Sequence, residues 1–183
     1  MSLHDDYLER AAPWSDVQDC MQRLHDWAAR CPQVRVLELG VRGGNSTSAF
    51  LAAAEKADGH VWSVDIAQPT VPAQWAESGR WTFILGDDMI VTPPAGQFDV
   101  LFIDTSHACA HTLAELRRYV PLVAPGGTVL LHDTRLEAPE LVGVQPPFPV
   151  ARALDAFCAE TGRSWTDHDA QYGLGEIACP NGQ

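Results

Sequence analysis

Two rhythms of apolar residues alternate along this chain. Val17, Cys20, Met21, Leu24, Trp27 and Ala28 recur with the 3.6-residue period of a helix that buries one face, and Ser15 stands where an N-cap serine would start it. Val34–Leu39 is then a short apolar run rich in β-branched residues, as a buried strand requires. The alternation continues with a helix over Ser46–Lys56, a strand over His60–Asp65, a short helix near Pro72–Ser78 and a strand over Trp81–Leu85. It ends with a strand over Phe98–Asp104, a helix over Cys109–Val120, a strand over Thr128–Asp133 and a helix over Val150–Thr161. Such alternation predicts a parallel sheet covered on both faces. Ser164–His168 and Gly173–Cys179 also read as strands, but too few residues separate them for a parallel crossover, so they predict an antiparallel hairpin. The expected fold is α/β, a Rossmann-like, doubly wound, seven-stranded sheet whose last strand runs antiparallel.

The first strand runs into Glu38-Leu-Gly40-Val-Arg-Gly43-Gly44-Asn45-Ser46-Thr47. Gly40, Gly43 and Gly44 let the backbone approach a ligand where a Cβ would clash, and Ser46 and Thr47 open the following helix. A dinucleotide fingerprint would read G-x-G-x-x-G, whereas these glycines run G-x-x-G-G with an acid, Glu38, ahead of the turn. An acid in that place suits a ligand with a positive amino group, and Asp65 at the end of the second strand suits a ribose diol. S-adenosylmethionine carries both. Two plainer readings stay open from the residues alone: Glu38 as a buried acid capping the loop, and Asp65 as a strand-end turn residue.

Two further motifs close apolar strands, Phe102-Ile-Asp104-Thr-Ser-His107 and Leu131-His132-Asp133-Thr134. If those strands are neighbours about 4.8 Å apart, Asp104 and Asp133 converge on one point. Two such carboxylates repel unless a proton or a cation lies between them, and a divalent ion such as Mg²⁺ would satisfy both. His132 adds an imidazole that suits Mn²⁺ or Zn²⁺ better. His107 could be a ligand or a general base. The alternative is that Asp104 caps the next helix while His107 and His132 fill polar positions at strand ends. His111 reads as a solvent-facing helix residue, and the spacing of His107, Cys109, His111 and His132 matches no structural zinc pattern.

The Glu38–Thr47 pattern resembles motif I of class I S-adenosylmethionine-dependent methyltransferases, especially the small-molecule branch that includes macrocin and cephalosporin-hydroxylase-like relatives, and the resemblance spans about Val34 to Cys179. It implies a sheet order of 3-2-1-4-5-7-6 and methyl transfer from S-adenosylmethionine to an oxygen of a small-molecule acceptor. It implies a cofactor set of Glu38, Gly40, Gly43, Gly44, Asn45, Ser46, Thr47, Asp65, Asp87 and Asp104, with Asp87 near the adenine amino group. In metal-dependent relatives an aspartate after strand four and an acidic pair after strand five hold magnesium. That pattern implies Asp104, His132 and Asp133 as ligands and Asp104, His107 and Asp133 as the catalytic group, with His132 departing from it by replacing an acid.

Composition narrows the partners. Twenty-four acidic against 12 basic residues give a formal net charge of −12 over 183 residues, which repels phosphate backbones and argues against nucleic acid. The acidic N-terminus is unlike a signal peptide and no run is long enough for a membrane span, so a cytoplasmic protein is expected. Five scattered cysteines without a C-x-x-C pair predict free thiols. A single domain over 1–183 is expected, with an N-terminal helical segment over 1–31 and the core over 32–183. Acceptor selectivity would come from the N-terminal segment, the Arg135–Pro149 loop with its Pro139–Pro149 lid, or a neighbouring subunit, which makes a homodimer the expected assembly. Two rivals remain, a non-catalytic cofactor-binding or accessory protein and an NAD-dependent oxidoreductase.

Overall fold

Alternate side chains of the first strand face opposite layers of the molecule, and that division organises the computed structural model, which describes residues 2–137 and 148–180. Strands β1 (Arg35–Leu39), β2 (His60–Asp65), β3 (Trp81–Leu85), β4 (Phe98–Ile103), β5 (Val123–His132), β6 (Thr166–His168) and β7 (Leu174–Ala178) form one sheet. Its order is β3-β2-β1-β4-β5-β7-β6, as expected. The first five strands pair in parallel, whereas β7 runs antiparallel to both β5 and β6.

Helices α1 (Leu3–Ala11), α2 (Met21–Ala28) and α3 (Asn45–Ala57) cover one face, and α5 (Cys109–Tyr119) and α6 (Pro149–Thr161) cover the other; α4 (Gln74–Glu77) is a single turn before β3. Val36, Val61, Val100 and Phe102 pack with Phe50, Leu24 and Trp75 in the first layer. Leu37, Leu39, Leu101 and Ile103 pack with Leu116, Tyr119, Leu154 and Phe157 in the second. Fully burying one such side chain stabilises by about 1.5–3 kcal/mol, which is why period-2 alternation locks the register: a slip of one residue would exchange the two layers. No helix among the described residues is long and apolar enough to cross a membrane. All five cysteines are free thiols.

Two element starts differ from expectation by more than two residues, and one helix is new. Ser15 does not start a regular helix: residues 16–20 form turns and α2 begins at Met21, after a Cys20 N-cap with no side-chain cap bond. Val17 O accepts from both the Cys20 and Met21 N–H groups, so the apolar period is kept while the first turn is distorted. Helix α1 was not separately foreseen; Ser2 and Asp5 close a reciprocal capping box at its start. Strand β5 starts at Val123 rather than Thr128, because Val123 pairs with Phe98 ahead of a register shift and the Gly126 and Cys179 backbones bond. The Pro139–Pro149 lid lies, up to Pro147, outside the described residues.

Candidate active site

The turn after β1 is built by contacts that separate the three glycines. A Cβ on Gly40 would stand 1.9 Å from the Asp104 carbonyl oxygen, so the β1 and β4 ends approach only because that side chain is missing. Gly44 has φ +81°, and a Cβ there would meet the Trp75 ring at 2.6 Å. Trp75 is itself fixed, its Nε1 donating to Asp6 Oδ2 at 2.9 Å. Gly43 differs: a Cβ would meet nothing within 4 Å, and the residue lines a cavity.

That cavity, of about 750 Å³, opens at the carboxyl ends of β1, β2 and β4. Gly40, Gly43, Asn45, Ser46, Asp65, Asp87, Asp104, His107 and Asp133 line it, so the structure brings most of the expected site residues together. Glu38, Gly44, Thr47 and His132 stand behind its wall. The volume is in the range of small-molecule sites, and the place is where ligands bind in open α/β sheets.

Glu38 is fully buried on the face covered by α3, opposite Ser63 in the β1–β2 register. Ser46 Oγ donates to its Oε1 at 2.6 Å, and Thr47 Oγ1 and Ser63 Oγ donate to its Oε2 at 2.7 and 2.6 Å. Burial raises its carboxyl pKa to about 7 despite those three donors. Glu38 therefore ties β1, β2 and the start of α3 into one unit. Asp65 fixes the turn from the other side, with Oδ2 accepting from the Val41 and Arg42 N–H groups at 2.8 and 3.0 Å and Oδ1 from Ala67 N–H at 2.8 Å. Asp87 Oδ1 accepts from Met89 N–H at 2.8 Å.

Asp104 directly follows β4 and Asp133 directly follows β5, and the parallel pairing of those strands brings the two carboxylates together as expected. His107 Nε2 lies 3.1 Å from Asp104 Oδ1 and 2.9 Å from Asp133 Oδ2. Both His107 (φ 55°) and Asp133 (φ 64°) adopt the left-handed conformation, an uncommon one for such residues. The bonds from Asp104 and Asp133 push the His107 pKa up to about 9. Burial alone would lower that of His132, but the neighbouring Asp104 and Asp133 carboxylates outweigh it and push it up to about 12. Burial alone would raise both aspartates, yet the two imidazoles hold Asp104 below and Asp133 well below the usual carboxylate range. At neutral pH His107 is thus a donor in this arrangement, not the ready base that its ordinary pKa suggests.

His132 stands behind the carboxylates, its ring 2% exposed and its Nδ1 3.3 Å from Asp133 Oδ1 and 3.7 Å from Asp104 Oδ1. It is placed to orient them, whereas Asp104, His107 and Asp133 each offer a ligand atom within 4.8 Å of the others. His111, expected in solvent, instead lines the cavity with its Nε2 3.0 Å from Asp88 Oδ2. Trp14, in a segment that could roof a pocket, lines the cavity, as do Ser15, Asp16, Arg42, Ile66, Thr105 and Ser106, which were not foreseen as site residues. Trp14 alone had a usable signal, an aromatic in a loop; Arg42 and Asp16 meet as an exposed ion pair that no local pattern announces.

Comparison with known proteins agrees with this geometry. Residues 37–134, more than half of the 183-residue chain, match the family described as methyltransferase domain. No curated protein matches the sequence. Among solved structures, the O-methyltransferase TomG from Streptomyces achromogenes, involved in tomaymycin synthesis and solved with S-adenosylmethionine, is 15% identical with a TM-score of 0.65, over 99% of this chain and 91% of that one. The Podospora anserina methyltransferase PaMTH1, solved with SAH, is 16% identical with a TM-score of 0.62, over 99% and 89%. The methyltransferase MycE of mycinamycin biosynthesis, solved with Mg, SAH and mycinamycin VI, is 21% identical with a TM-score of 0.66; this chain is covered to 98% but spans only 54% of that one. At such identities these structures speak for the fold, and the family match carries the assignment. The chain belongs to the methyltransferase-domain family, the class I S-adenosylmethionine-dependent methyltransferases.

Proposed function

We propose that the protein transfers a methyl group from S-adenosylmethionine to an oxygen of a small-molecule acceptor. The observation that carries the reading is Gly43: nothing in the protein's own packing requires a glycine there, yet a side chain would narrow the cavity. The cofactor backbone would lie along Gly40–Ser46, its ribose diol toward Asp65 and its adenine toward Asp87, with Glu38, Gly44 and Thr47 acting from behind by holding the turn. The transferred methyl group would leave sulfur by in-line displacement, a reaction in which positioning supplies roughly 7–11 kcal/mol of barrier reduction.

Asp104, His107 and Asp133 suit a hard divalent cation such as Mg²⁺ or Mn²⁺, since a half-buried carboxylate, a buried one and an imidazole already converge. Such an ion would act as a Lewis acid toward the acceptor hydroxyl. His132 keeps the two carboxylates oriented in either case. The likeness to the O-methyltransferase TomG favours oxygen as the methylated atom. Trp14 and Ile66, 72% and 77% exposed at the cavity rim, suit an acceptor with an apolar surface. They would equally suit cover by a second copy of the chain, and sedimentation tests the homodimer.

The decisive experiment is calorimetry with S-adenosylmethionine, with NAD as control, followed by product analysis on an acceptor panel. Micromolar S-adenosylmethionine binding and methylated product are expected, and Asp104→Ala should retain most binding while losing turnover. A fully active Asp104→Ala enzyme would remove the metal-assisted version, and no binding at all would remove the whole reading. Binding without product on any acceptor would favour the accessory-protein alternative.

A further inference from the structure

Beside the same cavity, joined to Thr105 by a hydrogen bond, a second group of ligating side chains converges. His111 and Glu115 are one turn apart on α5 and so share a helix face, and Asp88 follows β3. His111 Nε2 lies 3.0 Å from Asp88 Oδ2 and 3.6 Å from Glu115 Oε1, and all three residues offer ligand atoms within 4.8 Å of one another. Metal–ligand bonds of about 2.0–2.2 Å set neighbouring ligands about 3.0–3.5 Å apart, so the donors already stand close to the edges of a coordination shell.

Glu115 is an independent pointer. It is fully buried, Thr105 Oγ1 donates to its Oε1 at 2.7 Å, and its Oε2 has no hydrogen-bond partner among the described residues. A buried, unsatisfied carboxylate oxygen costs free energy that some positive group ought to recover. Asp88 is also buried, 7% exposed, and close enough to disfavour a second negative charge. Asp88 and His111 line the cavity whereas Glu115 does not, so a bound ion would have protein behind it and an open position toward the cavity. Among the described residues Thr105 uses one oxygen of Glu115, and the other oxygen is left to the cluster itself.

We infer that Asp88, His111 and Glu115 form a binding site for a divalent first-row transition ion such as Zn²⁺ or Mn²⁺, separate from the Asp104–Asp133 pair. Two carboxylates, one neutral imidazole and a dication sum to zero charge, and the imidazole selects these ions over calcium. The unpartnered Oε2 of Glu115 is the atom that the ion would satisfy. This site does not depend on the methyl-transfer reading.

Co²⁺ is the probe, because its visible spectrum reports coordination directly. Chelator-treated full-length protein is titrated with Co²⁺ and followed by absorption and calorimetry, alongside Asp104→Asn/Asp133→Asn, His111→Asn and Glu115→Gln variants whose folding is checked by circular dichroism. One equivalent should persist in Asp104→Asn/Asp133→Asn, and its affinity should fall at least tenfold in both His111→Asn and Glu115→Gln. His111 is partly exposed, so its variant keeps the test valid if the Glu115 variant folds poorly. Loss of all Co²⁺ binding in Asp104→Asn/Asp133→Asn, unchanged binding in His111→Asn, or no binding by the parent protein would overturn the site and leave a carboxyl pair sharing a proton.

Discussion

Replacing Glu38 with Gln tests which of two opposed forces rules the centre of the fold. Three hydroxyl donors at 2.6–2.7 Å favour the carboxylate, while complete burial favours the acid, and burial wins, raising the pKa from 4.5 to about 7. Each pKa unit corresponds to about 1.4 kcal/mol, so the shift amounts to stability on the order of 3 kcal/mol. The folded state binds the proton more tightly than the unfolded chain. That contribution is therefore complete below about pH 4.5 and is lost as pH rises through about 7. A glutamine does not titrate. The difference in unfolding free energy between parent and Glu38→Gln should accordingly fall by about 3 kcal/mol between pH 4.5 and 8, in favour of the variant at the alkaline end. At acid pH the amide should cost only about 1 kcal/mol, since the three hydroxyls must re-aim to bond it. Urea unfolding at pH 5, 6, 7 and 8, at constant ionic strength and with m-values compared, measures the difference and cancels every other titrating group. A difference that stays constant over that range would refute the argument, because Glu38 would then be ionised throughout and the hydroxyls would outweigh burial.

The glycines give a paired prediction. Gly40→Ala drives a Cβ into the Asp104 carbonyl and should lower the urea midpoint steeply or prevent folding, whereas Gly43→Ala should leave the unfolding free energy within about 0.5 kcal/mol of the parent and weaken S-adenosylmethionine binding at least tenfold in calorimetry. Asp6→Ala leaves Trp75 Nε1 and Arg10 without their buried acceptor, so a loss of about 1–3 kcal/mol in urea unfolding is expected. Arg42→Ala removes only an exposed ion pair with Asp16 and should change stability by less than about 1 kcal/mol in the same assay.

What the chain shows without coordinates follows the range of each interaction. Strands such as Val34–Leu39 and Phe98–Asp104 are legible because burial on both faces writes an apolar run into consecutive residues, and the terminal hairpin is legible because chain length forbids a crossover. The convergence of Asp104 and Asp133 needs only that β4 and β5 be neighbours. Asp88, His111 and Glu115 come together through the packing of α5 against the loop after β3, and only the four-residue spacing of His111 and Glu115 hints at it. Likewise Ser15 looks like an N-cap, but Val17 O accepts two N–H groups and shifts the helix start to Met21.

Glu38 shows why the sequence left two readings open, and how bonding capacity separates the acids of this site. A ligand-binding acid and a buried structural acid look identical ahead of a glycine turn. Ser46, Thr47 and Ser63 occupy both oxygens of Glu38, and its complete burial behind the cavity wall leaves a ligand no approach to the lone pair that remains. Asp65 accepts three backbone N–H groups, about three of the four lone-pair sites of a carboxylate, so it can hold the turn and still take one further donor. Asp87 accepts a single N–H and lines the cavity. Asp104 and Asp133 balance their charge only against His107 and His132, and Glu115 leaves one oxygen unmatched. From Glu38 through Asp65 to Asp87 and Asp104, access from the cavity is what separates a structural carboxylate from one open to a ligand. Substituting Glu38 should act on stability, substituting Asp87 on affinity, and substituting Asp104 on turnover, an order that the depth of each carboxylate imposes.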